Sequence, residues 1–127
     1  MIKAYFNVLN SETIKSRNNV KIIGSGPKTL LFGHGFGCDQ NMWRFLTPYL
    51  EKQFKIVLFD YVGSGNSDIS QYDKQRYKKL EGYALDVIEV CTALELSDVV
   101  FVGHSVSSMI GALAAFERPD LISKLIM

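Results

Sequence analysis

The sequence predicts an α/β architecture in three layers, with helices on both faces of a mostly parallel sheet. Three observations carry this reading. Short apolar runs recur without polar alternation, as strands buried on both faces require. Segments of helical period separate them from residue 20 onward. The runs also end in glycine-rich turns, the usual exits from a strand.

Composition sets the frame. The chain has 127 residues, 47% of them hydrophobic and 21% charged, which fits a globular protein and not a disordered one. Fourteen Lys and Arg against thirteen Asp and Glu give a net charge of +1. Neither nucleic acid nor a membrane surface is expected as a partner on that balance. The basic run Lys74–Lys79 reads as a solvated loop or helix start. Cys38 and Cys91 are too few and too far apart for a disulfide framework or a zinc site. The first eight residues lack a signal-peptide core and no run approaches a membrane span, so a soluble cytoplasmic protein is expected.

Taken in order, residues 1–12 match no later pattern and read as an N-terminal extension, leaving 13–127 as the domain. Residues 20–23 form a first strand that turns at Gly24-Ser25-Gly26-Pro27. Residues 29–32 form a second, ending in Gly33-His34-Gly35-Phe36-Gly37. Between Asp39 and Lys52 apolar residues fall at helical spacing, but Pro48 interrupts them; the expectation is a short turn and then a helix with Pro48 in its first turn. Residues 55–60 are a third strand. Leu80, Tyr83, Ala84, Val87, Ile88, Cys91 and Leu94 then make one apolar helical stripe, with Cys91 a buried thiol and Glu81, Asp86, Glu89 and Glu95 on the other side. Residues 99–102 are a fourth strand, and 123–127 open a fifth. The helix between them carries Ser107, Gly111 and Ala115, a stripe of little bulk suited to close packing on a sheet, and should stop before Pro119.

Chemistry concentrates at the fourth strand. Gly103-His104-Ser105-Val106-Ser107 follows it directly and precedes that helix. A sharp strand-to-helix turn of this kind presents a serine hydroxyl above the sheet as a nucleophile. The competing reading is that Ser105 only caps the helix. The turn after the second strand would supply an oxyanion donor through the Phe36 N–H, with the Val106 N–H as the second. The loop Asp60–Asp68 leaves the carboxyl end of a strand, but its glycines and acids are read there as turn-makers. Gly24-Ser25-Gly26-Pro27-Lys28-Thr29 has neither the spacing nor the following helix of a phosphate-binding loop. No cofactor or metal is expected.

On these residues the chain resembles the α/β-hydrolase fold, and within it the group containing the bacterial stress regulator RsbQ and the plant karrikin and strigolactone receptors. The matching motifs are Gly35-Phe36-Gly37-Cys38-Asp39-Gln40 with Trp43, Phe59-Asp60-Tyr61-Val62-Gly63-Ser64-Gly65, and Gly103-His104-Ser105-Val106. Gly82-Tyr83-Ala84 with Asp86-Val87 also fits. The resemblance implies Ser105 as nucleophile, Phe36 and Val106 as oxyanion donors, and a small hydrophobic substrate or signal under a helical lid. It also implies a role in a stress or signalling pathway, with a phosphatase-like protein as regulatory partner.

Two departures stand out. The general elbow is Gly-x-Ser-x-Gly, and here position 107 is serine. The triad order in this fold is Ser, then Asp or Glu, then His, yet His34 and His104 both precede Ser105, while Glu117 and Asp120 lie at the far end of the elbow helix. The expectation is the N-terminal half of a longer hydrolase, ending before the lid and the last strands. Losing the histidine of such a triad costs about a millionfold in kcat, so this stretch alone should be inactive. Two alternatives stay open: a non-catalytic signal-binding regulator of the same fold, and a separately encoded chain completed by a partner.

Overall fold

Five strands make one sheet in the computed structural model, which describes residues 9–127. They are β1 (Lys21–Gly24), β2 (Lys28–Gly33), β3 (Phe54–Leu58), β4 (Val99–Gly103) and β5 (Ile122–Ile126), in the order β1-β3-β2-β4-β5. β1 runs antiparallel to β3, and the other pairings are parallel. The α-helices are α1 (Ser11–Arg17), α2 (Leu80–Ala93) and α3 (Val106–Glu117). Among the described residues no helix is long and apolar enough to cross a membrane.

Side chains alternate across a strand, so the unbroken apolar runs feed two cores. Leu31, Val57, Val99 and Phe101 pack with α2 and α3 on one face. Leu30, Phe32, Ile56, Leu58 and Val100 pack with Trp43, Met42 and Leu50 on the other. The Phe32 and Trp43 rings meet there with centroids 4.8 Å apart. At the sheet's edge, β5 pairs with β4 and with no further strand among the described residues, leaving Ile126 exposed.

The structure corrects four expectations. The segment around Pro48 contains no α-helix; it makes two 3₁₀ turns, Gln40–Trp43 and Thr47–Tyr49, the second with Pro48 as its middle residue. Residues 11 and 12 are the first turn of α1, where Asn10 Oδ1 accepts the Thr13 N–H at 2.8 Å and Ile14 is buried; residues 1–8 of the expected extension lie outside the described residues. The inward stripe of α3 is Ser107, Ile110, Gly111 and Ala114, so Ala115 is displaced from it by one position. Close packing follows as expected, since a Cβ on Gly111 would stand 2.5 Å from the Phe101 ring.

The fourth correction concerns charge. Asp86 and Glu89 do not lie on a solvated side of α2; both are buried. Arg17, itself buried, reaches each of them at 3.3 Å. Arg76, from the basic run, also pairs with both, and Tyr77 donates its hydroxyl to Asp86 at 2.8 Å. Two cations and two anions thus lock α1 and the loop before α2 onto the helix. Burial in this cluster is tolerable because each charge is paired and hydrogen-bonded.

Candidate active site

Register across the centre of the sheet builds the site. β2 and β4 are neighbours, with Gly33 opposite Gly103, so both chains leave the sheet side by side at their carboxyl ends. The His104 N–H bonds the Gly33 carbonyl at 3.0 Å and carries the pairing one residue further. The chain then turns abruptly into α3 through Ser105.

Ser105 has φ 57° and ψ −121°, a conformation non-glycine residues rarely adopt. Strain of this kind persists only where its surroundings impose it, and it collects at functional sites. Ser105 occupies the N-cap position of α3, yet its side chain makes no capping hydrogen bond. The cap reading therefore fails, and Ser105 is an exposed residue. Val106 opens α3, so its N–H has no carbonyl one turn back to bond. Phe36 sits in the turn after β2, and among the described residues nothing accepts its N–H. Its ring is 94% exposed.

A cavity of about 560 Å³ lies beside these groups. Phe36 and Val106 line it, with Tyr61, Tyr83, Leu80 and Ile110 among its mostly apolar walls. Ser105 is not one of its lining residues; it borders the cavity through Val106. The Asp60–Asp68 loop does more than turn, because Tyr61, Val62, Gly63 and Ser64 form part of the wall. Its turn chemistry is also present: Ser67 Oγ accepts the Gly63 N–H at 3.0 Å, and buried Asp60 accepts from the Gln40 and Asn66 N–H groups at 2.8 and 3.0 Å.

Three buried polar side chains behind the site carried no function in the sequence reading. The His34 Nε2 accepts the Tyr61 N–H at 3.1 Å, and its Nδ1 lies 2.9 Å from the Gly35 carbonyl. The Ser107 hydroxyl donates to the His34 carbonyl at 2.6 Å. The Tyr61 hydroxyl meets Ser107 Oγ at 2.7 Å. The available signal was the tyrosine at the carboxyl end of a strand, where ligands of open α/β sheets bind. No hydrogen bond joins His104 to Ser105 among the described residues, and none of the described His, Cys, Asp and Glu residues cluster to hold a metal ion.

Residues 28–127 match the family model described as the alpha/beta hydrolase fold. Karrikin insensitive 2 receptor B of Petunia hybrida is 46% identical over 114 residues, 90% of this chain and 42% of that protein. Strigolactone esterase D14 of Arabidopsis thaliana is 37% identical over 119 residues, 94% of this chain and 45% of that protein. A solved hydrolase structure from Oleispira antarctica superposes with a TM-score of 0.90 at 52% identity, covering 94% of this chain and 44% of that one. The chain spans less than half the length of each.

Proposed function

The chain belongs to the α/β hydrolase fold family, and on that premise we propose that it carries the nucleophile and oxyanion hole of a serine hydrolase. The substrate class is an ester or lactone of a small hydrophobic molecule, in keeping with the apolar cavity walls. One observation carries the reading: a strained serine whose hydroxyl caps nothing, beside the free N–H of Val106.

In this reading Ser105 Oγ adds to the substrate carbonyl carbon and its proton passes to a base. The carbonyl π pair moves onto oxygen, where the Phe36 and Val106 N–H groups receive the charge. Collapse of the tetrahedral adduct expels the alkoxide, which takes the proton from the base and leaves an acyl-serine for water to cleave. Among the described residues no histidine ring is hydrogen-bonded to Ser105. His34 cannot serve, since it is buried with both ring nitrogens engaged.

A fluorophosphonate probe tests this in the full gene product. Labelling should be abolished by Ser105→Ala, and labelling that persists refutes Ser105 as the reactive residue. A second reading, a receptor that binds a signal and acts through a regulatory, phosphatase-like protein partner, draws support from the petunia relative's name and from the same cavity. Turnover of ester substrates by the full gene product favours the first reading; ligand binding without turnover favours the second.

A further inference from the structure

We propose that the Ser107 hydroxyl, oriented by Tyr61, is the positioning group that holds the two oxyanion donors at their working separation. The inference rests on the reading of Ser105 as nucleophile and assigns a role to its neighbour but one. The two donor N–H groups come from different elements: Phe36 from the turn after β2, and Val106 from the first turn of α3. A hole built from two elements needs something to fix their spacing. Ser107 follows Val106 directly, and its hydroxyl donates at 2.6 Å to the carbonyl of His34, two residues before Phe36. This bond ties the two halves together.

Counting protons fixes the directions. A serine hydroxyl has one proton, and a carbonyl can only accept, so that proton goes to His34. The proton in the 2.7 Å contact with Tyr61 must then be the phenol's. Burial raises the Tyr61 pKa well above the ordinary phenol range, which keeps that proton in place. The Tyr61 ring is held edge-on against His34, Phe59 and Tyr83, at centroid distances of 4.8 to 5.7 Å. Tyr61 also reaches the loop by a second route. Its N–H donates to His34 Nε2, which leaves the ring proton on Nδ1 to be given to the Gly35 carbonyl. That carbonyl and the Phe36 N–H are opposite ends of one planar peptide unit, so this bond, together with the Cys38 N–H that donates to the same carbonyl at 3.1 Å, sets the direction in which the donor points.

The serine at 107 has room because position 33 is glycine; a Cβ there would stand 2.7 Å from Ser107 Oγ. A glycine at 107, as in the general elbow, would leave the His34 carbonyl without this donor.

The test is ester turnover by the full gene product, read as kcat against KM, for Ser107→Ala, Ser107→Gly, Tyr61→Phe and Ser105→Ala. Val90→Ala, a core change in α2 remote from the site, controls for stability. Removing an oxyanion donor outright costs about a hundred- to thousandfold in kcat, and misplacing one should cost about tenfold. Ser107→Ala and Ser107→Gly should each show that tenfold loss at unchanged KM, and Tyr61→Phe a smaller loss in the same direction. Val90→Ala should lower the melting temperature and leave kcat alone. A folded Ser107→Ala or Ser107→Gly with kcat within twofold of the parent overturns the proposal. If neither variant folds, an unchanged kcat in Tyr61→Phe overturns it. Ser105→Ala separates the two readings. An active Ser105→Ala refutes the nucleophile and the clamp with it, whereas an inactive Ser105→Ala beside a fully active Ser107→Ala refutes the clamp alone.

Discussion

Neutralising Asp86 should be among the most damaging single changes in this domain. Its carboxylate is fully buried and accepts from the Tyr77 hydroxyl at 2.8 Å, from Arg76 Nε at 3.2 Å and from Asn18 Nδ2 at 3.4 Å, with Arg17 Nη2 paired at 3.3 Å. Asp86→Asn keeps the shape and removes the charge. The cluster then holds two guanidinium groups against Glu89 alone, in surroundings that cannot solvate the excess. Removing one partner of a buried ion pair costs about 3–5 kcal/mol. For a protein of the length of the relatives, each kcal/mol moves the melting temperature by roughly 2–4 °C, so a fall of about 6–20 °C is expected. Thermal and urea unfolding of the full gene product, followed by circular dichroism, measures it. Damage should extend to the cavity, because the Tyr77 ring packs on Tyr72 and Tyr83, two residues of its wall. A loss below about 1 kcal/mol, the range of exposed pairs, would refute the picture of a desolvated, mutually dependent cluster.

Two other outcomes are expected. Gly33→Ala would place a Cβ 2.7 Å from both the Phe101 ring and Ser107 Oγ, so it should destabilise by about 1–3 kcal/mol and depress ester turnover, as urea melts and kcat measurements would reveal. Burial pushes the Cys91 thiol up to about 12 from an ordinary value near 9. The folded state thus holds its proton while the unfolded chain ionises, so the contribution of Cys91 is intact below pH 9 and declines from there toward pH 12. Urea melts across pH 8–11 should show that decline, and Cys91→Val should flatten it; an equal slope in the variant would count against the assignment.

Much of this was legible locally. A parallel strand covered on both faces reads as an unbroken apolar run, and the five strands were found within one or two residues of their ends. The elbow was legible too, because Ser105 sits between such a run and a helix of small residues. What escaped reading depends on distant partners. Gln40 is tied by its N–H to Asp60 and by its side chain to the Asn19 carbonyl, contacts that hold the segment around Pro48 close to the sheet and that helical spacing does not register. Asp86 and Glu89 fall outside the apolar stripe of α2, and only the arrival of Arg17 and Arg76 puts them in the interior. Ser107 reads as merely small. Its role depends on the carbonyl of His34, which has no local signature, and on Tyr61, whose only signature is its place at the carboxyl end of a strand.

The bond between Ser107 and the His34 carbonyl joins residues 73 positions apart in the chain. Closing a flexible loop of that length costs about 4 kcal/mol of chain entropy, and the intervening stretch carries β3 and α2. The site is therefore a costly contact for the chain to close. Local helices and the β2–β3 pairing can form while Ser105 and the Phe36 turn are still far apart. A chain emerging from the ribosome can hold much of its secondary structure with no place for a ligand. A ligand that binds only when the centre of the sheet is closed stabilises that long-range closure by mass action.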